Sequence, residues 1–132
     1  MGERSRTARR HLLPLALCCL LVVEARAAER ALQGAEINDF LKGNTVTGHS
    51  DKGDWKQYFD AGGDTAYVRG SEPLSRGGWE VRGSKFCSQW PPNPSWTCYT
   101  VTGDPAADPR TITWIGDSGA RYPGFVHPGN GM

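Results

Sequence analysis

KFCSQWPPNPSWTCYTV, residues 85–101, is the stretch that decides the fold. Residues 85–90 and 96–101 read as two strands flanking Pro91-Pro92-Asn93-Pro94. Proline has no N–H to give to a strand ladder, so the pair predicts an antiparallel hairpin that opens at its tip. Cys87 and Cys98 lie one on each run. Paired across the hairpin, they would set Gln89 opposite Trp96 and Trp90 opposite Ser95.

Short strands separated by turns continue in both directions. Upstream, Trp79-Glu80-Val81 alternates apolar and polar before a turn at Arg82-Gly83-Ser84, and residues 70–78 read as a loop carrying Pro73. Residues 65–68 and 55–59 form a hairpin about Gly62-Gly63-Asp64, with Trp55, Gln57 and Phe59 on one face and Lys56 and Tyr58 on the other. Thr45-Val46-Thr47 is a further β-prone run. Downstream, residues 103–110 are a polar loop, and 111–115 with 120–126 make a last hairpin around residues 116–119. Ile37, Phe40 and Leu41 fall at i, i+3, i+4 spacing, which predicts one short helix within residues 32–41, closed by Gly43-Asn44. Two turns of helix need a surface to pack on, so its expected role is to cover one end of the sheet. Seven or eight strands at spacings of roughly 8–14 residues predict a mainly β fold. The expectation is a small antiparallel meander that closes into a barrel, or stays a half-open sandwich. Trp55, Trp79 and Trp114 are core candidates.

The first residues have a different character. Arg4, Arg6, Arg9 and Arg10 precede an apolar run at 12–23, and Ala25-Arg26-Ala27 matches a small-x-small cleavage pattern. Residues 1–27 are thus expected to be a cleaved signal peptide, by the general or the twin-arginine route, and 28–132 a single β-rich domain in the periplasm or outside the cell. Removing that segment changes 15 basic and 14 acidic residues into ten and twelve. The mature chain then has no basic surface for nucleic acid and no apolar run long enough to cross a membrane as a helix. With 17 Gly, 9 Pro and 5 Trp in the chain, neither a helical bundle nor a disordered tail fits.

Two cysteines remain after cleavage. An even number in a small exported domain reads as one structural disulfide, Cys87 to Cys98, worth roughly 3 kcal/mol through the twelve-residue loop it closes. The alternatives are two free thiols or metal ligands, for which the spacing suits zinc poorly.

The chain carries no nucleophile elbow, HExxH, P-loop or dinucleotide fingerprint. His49-Ser50-Asp51 has triad residue types, but neighbours in sequence do not converge on one reacting atom. His49 and Asp51 could serve as two metal ligands only if the fold added a third, such as His127. Asp60, Asp64, Asp104 and Asp108 fall in turns, where Asp binds nearby backbone amides. No catalytic residue, cofactor or metal site is assigned. The remaining feature is the tip: Trp90, Pro91, Pro92, Pro94 and Trp96 form a stiff candidate surface for a partner or ligand. The alternative is that both tryptophans fold back over the barrel end.

The ordered pieces Leu-x-Gly-x-Glu-Ile (from Leu32), Leu41-x-Gly-Asn-Thr-Val-x-Gly48, Trp55-x-x-Tyr-Phe59, Gly78-Trp79-Glu80-Val81, Phe86-Cys87-x-x-Trp90 and Cys98-Tyr99 resemble a family of small exported bacterial proteins classed as a domain of unknown function. The resemblance implies an exported β-rich domain with one disulfide, and no activity. The expected function is that of a non-enzymatic exported protein binding an envelope protein or a small ligand. The alternatives are an envelope-assembly factor without a pocket, or an inhibitor of a secreted hydrolase.

Overall fold

The computed structural model describes residues 29–132; the expected signal peptide at 1–27 lies outside the described residues. The chain opens with β1 (Arg30–Ala31) and α1 (Gly34–Leu41). Eight longer strands follow: β2 (Asn44–Ser50), β3 (Gly53–Phe59), β4 (Asp64–Arg69), β5 (Ser75–Arg82), β6 (Lys85–Gln89), β7 (Trp96–Asp104), β8 (Arg110–Ile115) and β9 (Arg121–Pro128). Each of the eight pairs antiparallel with its sequence neighbour, and β9 returns to pair with β2. The result is a closed up-and-down barrel, which leaves no long unpaired edge. The short β1 adds to β7 beyond the end of β6, with Arg30 opposite Gly103.

The helix and its stop form as the apolar spacing requires. Ile37, Phe40 and Leu41 are buried, and Gly43 follows the helix at φ 75°, a left-handed conformation that glycine adopts without a Cβ penalty. The helix packs against β2, β5 and β6 and plugs one end of the barrel. Beside it, the Arg110 guanidinium lies 4.3 Å over the centre of the Phe40 ring.

Above this plug the core is aromatic. Phe59, fully buried, meets Trp79 and Phe86 edge-on at 5.6 and 5.7 Å, and Trp114 at 6.0 Å. Trp55, Trp79 and Trp114 are all buried, as their alternation predicts.

Several strands run further than the sequence pattern indicates, among them β7, which passes Val101 and enters the expected 103–110 loop as far as Asp104. Residues 70–78 are not loop throughout, because β5 begins at Ser75 and passes through Gly77-Gly78. Likewise β2 extends past Thr47 through Gly48 to Ser50. Glycine carries no side chain, so it erases the alternation that marks a strand. Here the missing Cβ has a structural reason. A Cβ on Gly48 would fall 2.2 Å from the Trp55 ring, and one on Gly77 would fall 2.3 Å from the Gln89 carbonyl and 2.8 Å from the Trp90 ring.

The β6–β7 hairpin has the register expected from its cysteines: Cys87 opposes Cys98 and Gln89 opposes Trp96. The cysteines form a disulfide across the two strands. Pairing stops at Gln89–Trp96, so Trp90 and Ser95 lie beyond the ladder rather than opposite each other within it.

An aromatic cup at the open end

Among the described residues, nothing plugs the end of the barrel opposite α1. That end holds a cavity of about 460 Å³, open to solvent, within the range typical of small-molecule sites. Seven of its wall residues are aromatic: Trp55 from β3, Tyr67 from β4, Phe86 and Trp90 from β6 and its extension, Tyr99 from β7, Trp114 from β8 and Tyr122 from β9. Six of the eight barrel strands supply them, all but β2 and β5, because inward side chains recur every second residue and the barrel brings those near one end into a ring. Phe86 and Trp114 form the floor shared with the core, 5.5 Å apart between ring centres. Tyr99 and Tyr122 meet edge-on at 6.1 Å, with Tyr122 half exposed at the rim.

Among the polar groups of the wall, Gln57, Ser88 and the Trp90 indole have protein partners. Gln57 is buried and gives Nε2 to the Thr65 hydroxyl at 2.9 Å, which in turn donates to the Tyr58 carbonyl at 2.7 Å. Trp90 donates its indole N–H to the Ser88 hydroxyl at 3.3 Å. Trp114 differs. It is 5 % exposed, and its indole N–H has no hydrogen-bond partner among the described residues. A buried donor left unpaired costs about 1–3 kcal/mol. Burial raises the pKa of Tyr67, and of Tyr99, where the neighbouring Tyr122 adds to the effect. Both phenols therefore stay neutral near pH 7. Arg76, exposed on β5, borders the cavity, but it lies opposite Ala66 and Tyr58 on the outward row of the sheet, while Ser75 opposite Tyr67 faces in.

The residues singled out in the sequence separate into two places. Trp90 and Pro91 line the cavity. Trp96 points elsewhere: it lies at Gly78, its ring carries the Arg82 guanidinium at 5.0 Å, and it is 36 % exposed. Pro92 and Pro94 are exposed at the tip, where the Pro94 carbonyl accepts from Gln89 Nε2 at 2.9 Å and Asn93 N–H bonds back to the Trp90 carbonyl at 3.1 Å. The tip is thus tied down on both sides. Cys87 and Cys98 lie across the base of the same hairpin.

Sequence reasoning missed Tyr67, Tyr99 and Tyr122 as wall residues, and took Trp55 and Trp114 for core alone. Alternation within each strand was visible, but which end of the barrel remains open depends on where α1 docks. His49 pairs with Asp54 at 2.6 Å, both well exposed, while His127 bonds the Thr47 hydroxyl at 2.9 Å. The described residues contain no group of three His, Cys, Asp or Glu placed to hold a metal ion. The turn role expected of Asp60 and Asp104 is met, since each accepts a backbone N–H two residues on. Among the described residues no helix is long and apolar enough to cross a membrane.

No family model matches the chain, and no curated protein or solved structure matches it.

Proposed function

We propose that this protein is an exported, non-enzymatic binding protein that takes a small aromatic or otherwise flat apolar molecule into the cup at the open end of its barrel. The observation that carries this reading is the cavity of about 460 Å³ walled by seven aromatic side chains. A barrel that needed only stability would fill both ends with side chains, as α1 does at the other end. The cup residues offer broad aromatic faces for stacking, with neutral hydroxyls and an amide between them, which favours a flat aromatic ligand over a phosphate.

The non-enzymatic part rests on chemistry. The residues lining the cup include no carboxylate, histidine or thiol, so no group there moves a proton readily near pH 7 or activates Ser75 or Ser88 as a nucleophile. Export rests on the signal-like first 27 residues and on a disulfide, which persists in an oxidising compartment.

The test is a screen of one- and two-ring aromatic compounds against the mature, oxidised protein, read by tryptophan emission. At least one compound should shift the emission saturably, and Trp90→Ala should abolish that shift. If no compound perturbs the emission, the cup is not a ligand site.

A further inference from the structure

We infer that the ligand of the cup is an aromatic hydrogen-bond donor, a ring whose O–H or N–H is given to the side-chain carbonyl of Gln57. This deepens the binding reading above and rests on it. Gln57 lines the cup one inward position below Trp55, opposite Val46 on β2 and Tyr67 on β4, and is 8 % exposed. The sense of its amide is fixed by its neighbour. The Thr65 hydroxyl has a single proton and gives it to the Tyr58 carbonyl at 2.7 Å. Towards Gln57 that hydroxyl can therefore only accept, so the atom 2.9 Å from it is the amide nitrogen. The fully enclosed side-chain polar atoms without a partner among the described residues are Arg69 Nε and Trp114 Nε1. Gln57 Oε1 is not one of them, and no donor among the described residues reaches it, so it opens onto the cavity.

The hydroxyls of the wall leave the sense of a contact open. Those of Tyr67, Tyr99, Tyr122 and Ser75 donate or accept as required, and Ser88, which accepts from Trp90, can still donate. Gln57 Oε1 can only accept, and it lies below the Trp55 and Tyr67 rings, whose centres are 6.1 Å apart. Water can satisfy an open carbonyl, but a flat ligand that fills the cup displaces that water and must replace the bond itself. A ligand without a donor leaves the carbonyl desolvated and unpaired, which is the costly case. A carboxylate or an ether, which only accepts, would set its lone pairs against those of Gln57. A donor in the plane of a ring leaves both ring faces free to stack on the wall. The aromatic side chains thus select the ring, and Gln57 selects the group on its edge.

The experiment uses two matched pairs of probes: indole with its same-shaped oxygen analogue benzofuran, and 4-methylphenol with 4-fluorotoluene. Each is titrated calorimetrically into the mature, oxidised protein and into Gln57→Met and Thr65→Val, whose folding is checked by thermal melts. The wild type should bind at least one donor about tenfold more tightly than its donorless counterpart, the scale set by leaving a buried acceptor unpaired. The pair that shows the difference tells a ring N–H from a phenolic O–H. Gln57→Met removes the acceptor at similar volume, and Thr65→Val removes the hydroxyl that fixes the sense of the amide. In each variant the donor's advantage should shrink to about threefold or less, with the donorless probes bound as before. Donorless probes bound as tightly as donors by the wild type, or an advantage that survives in either folded variant, overturns the donor assignment and leaves the cup as a binding site. Failure of all four probes overturns both.

Discussion

Trp90 stands edge-on to Tyr67 across the cup, with ring centres 6.1 Å apart and planes at 68°. The first residue past the β6 ladder thereby becomes part of the cavity wall, while Trp96, the first residue of β7, stays on a different face beside Arg82. The two tryptophans that flank the proline tip do different things. A ladder that ends at Gln89 frees Trp90 to lean over Gly77 towards Tyr67.

Trp90→Ala and Trp96→Ala should therefore part company. Trp90→Ala should abolish ligand-induced changes in tryptophan emission, because it opens the wall of the cup. Trp96→Ala should leave them intact and lower the thermal midpoint by only a few degrees, through loss of a packed ring and its Arg82 contact, about 1 kcal/mol. Equal loss of binding in both variants would show that the tip, not the cup, is the binding surface.

Gly48 and Gly124 lie on β2 and β9 at the places where the Trp55 ring lies against the sheet. A Cβ on Gly48 would sit 2.2 Å from that ring, and one on Gly124 would sit 2.6 Å from Val46 Cγ1. Gly48→Ala should cost about 1–3 kcal/mol, the usual penalty of overpacking. Since Trp55 also lines the cup, the same change should alter ligand affinity. Urea denaturation and a ligand titration on one preparation check both effects, and unchanged stability would remove the need for glycine at this position.

Phe59 has no exposed surface and touches three other aromatic rings, so it joins the walls of the barrel below the cup. Phe59→Ala should cost about 3–5 kcal/mol. Phe59→Leu should cost less and remain folded. If Phe59→Leu binds naphthalene-sized probes as the wild type does, the floor of the cup is set by Phe86 and Trp114 alone.

Reducing the disulfide should lower stability by roughly 3 kcal/mol, the chain-entropy value for so short a loop. Cys87 and Cys98 oppose each other within a ladder that also holds Phe86 against Tyr99 and Ser88 against Thr97. The reduced protein should accordingly keep its β-rich circular dichroism at low temperature and lose it earlier on heating. A reduced form with an unchanged midpoint would mean that the hairpin is held by its ladder alone.

Sequence patterning exposed the barrel more readily than the cup, and the reason is physical. Alternation at Trp55, Gln57 and Phe59 names an inward face, and the turn at Gly62-Gly63 fixes what pairs with it. These are local signals, a few residues wide. The cup exists because eight strands close and α1 occupies the opposite end, which no single window of sequence contains. The glycines hid strand length for the same reason that they matter. Gly77 leaves space for Trp90, and in doing so removes the side chain that would have marked β5 as a strand. Strand β1 is two residues long, too short to carry any period.

That short strand is fastened by charge, which gives the last prediction. Glu36, in the first turn of α1, accepts from Arg30 Nη1 at 2.9 Å and from the Gln33 backbone N–H at 3.2 Å. The Arg30 guanidinium first, and then the backbone donor, hold the Glu36 carboxyl well below its ordinary 4.5, at about 2. A carboxylate whose pKa is lowered by folding contributes its full stabilisation above the ordinary value and loses it as pH falls towards the folded value. The clasp between β1 and α1 should accordingly weaken between pH 4.5 and 2. Glu29 next to β1, lowered by hydrogen bonds from Thr102 and Thr113, weakens in the same direction, so whole-protein acid unfolding does not isolate Glu36. Comparison with Glu36→Gln does. The wild type should be the more stable protein at pH 6, the difference should close by pH 2, and high salt should reduce it because the pair is at the surface. A difference that persists undiminished at pH 2 would mean that Glu36 acts through helix packing or propensity, and not through its charge.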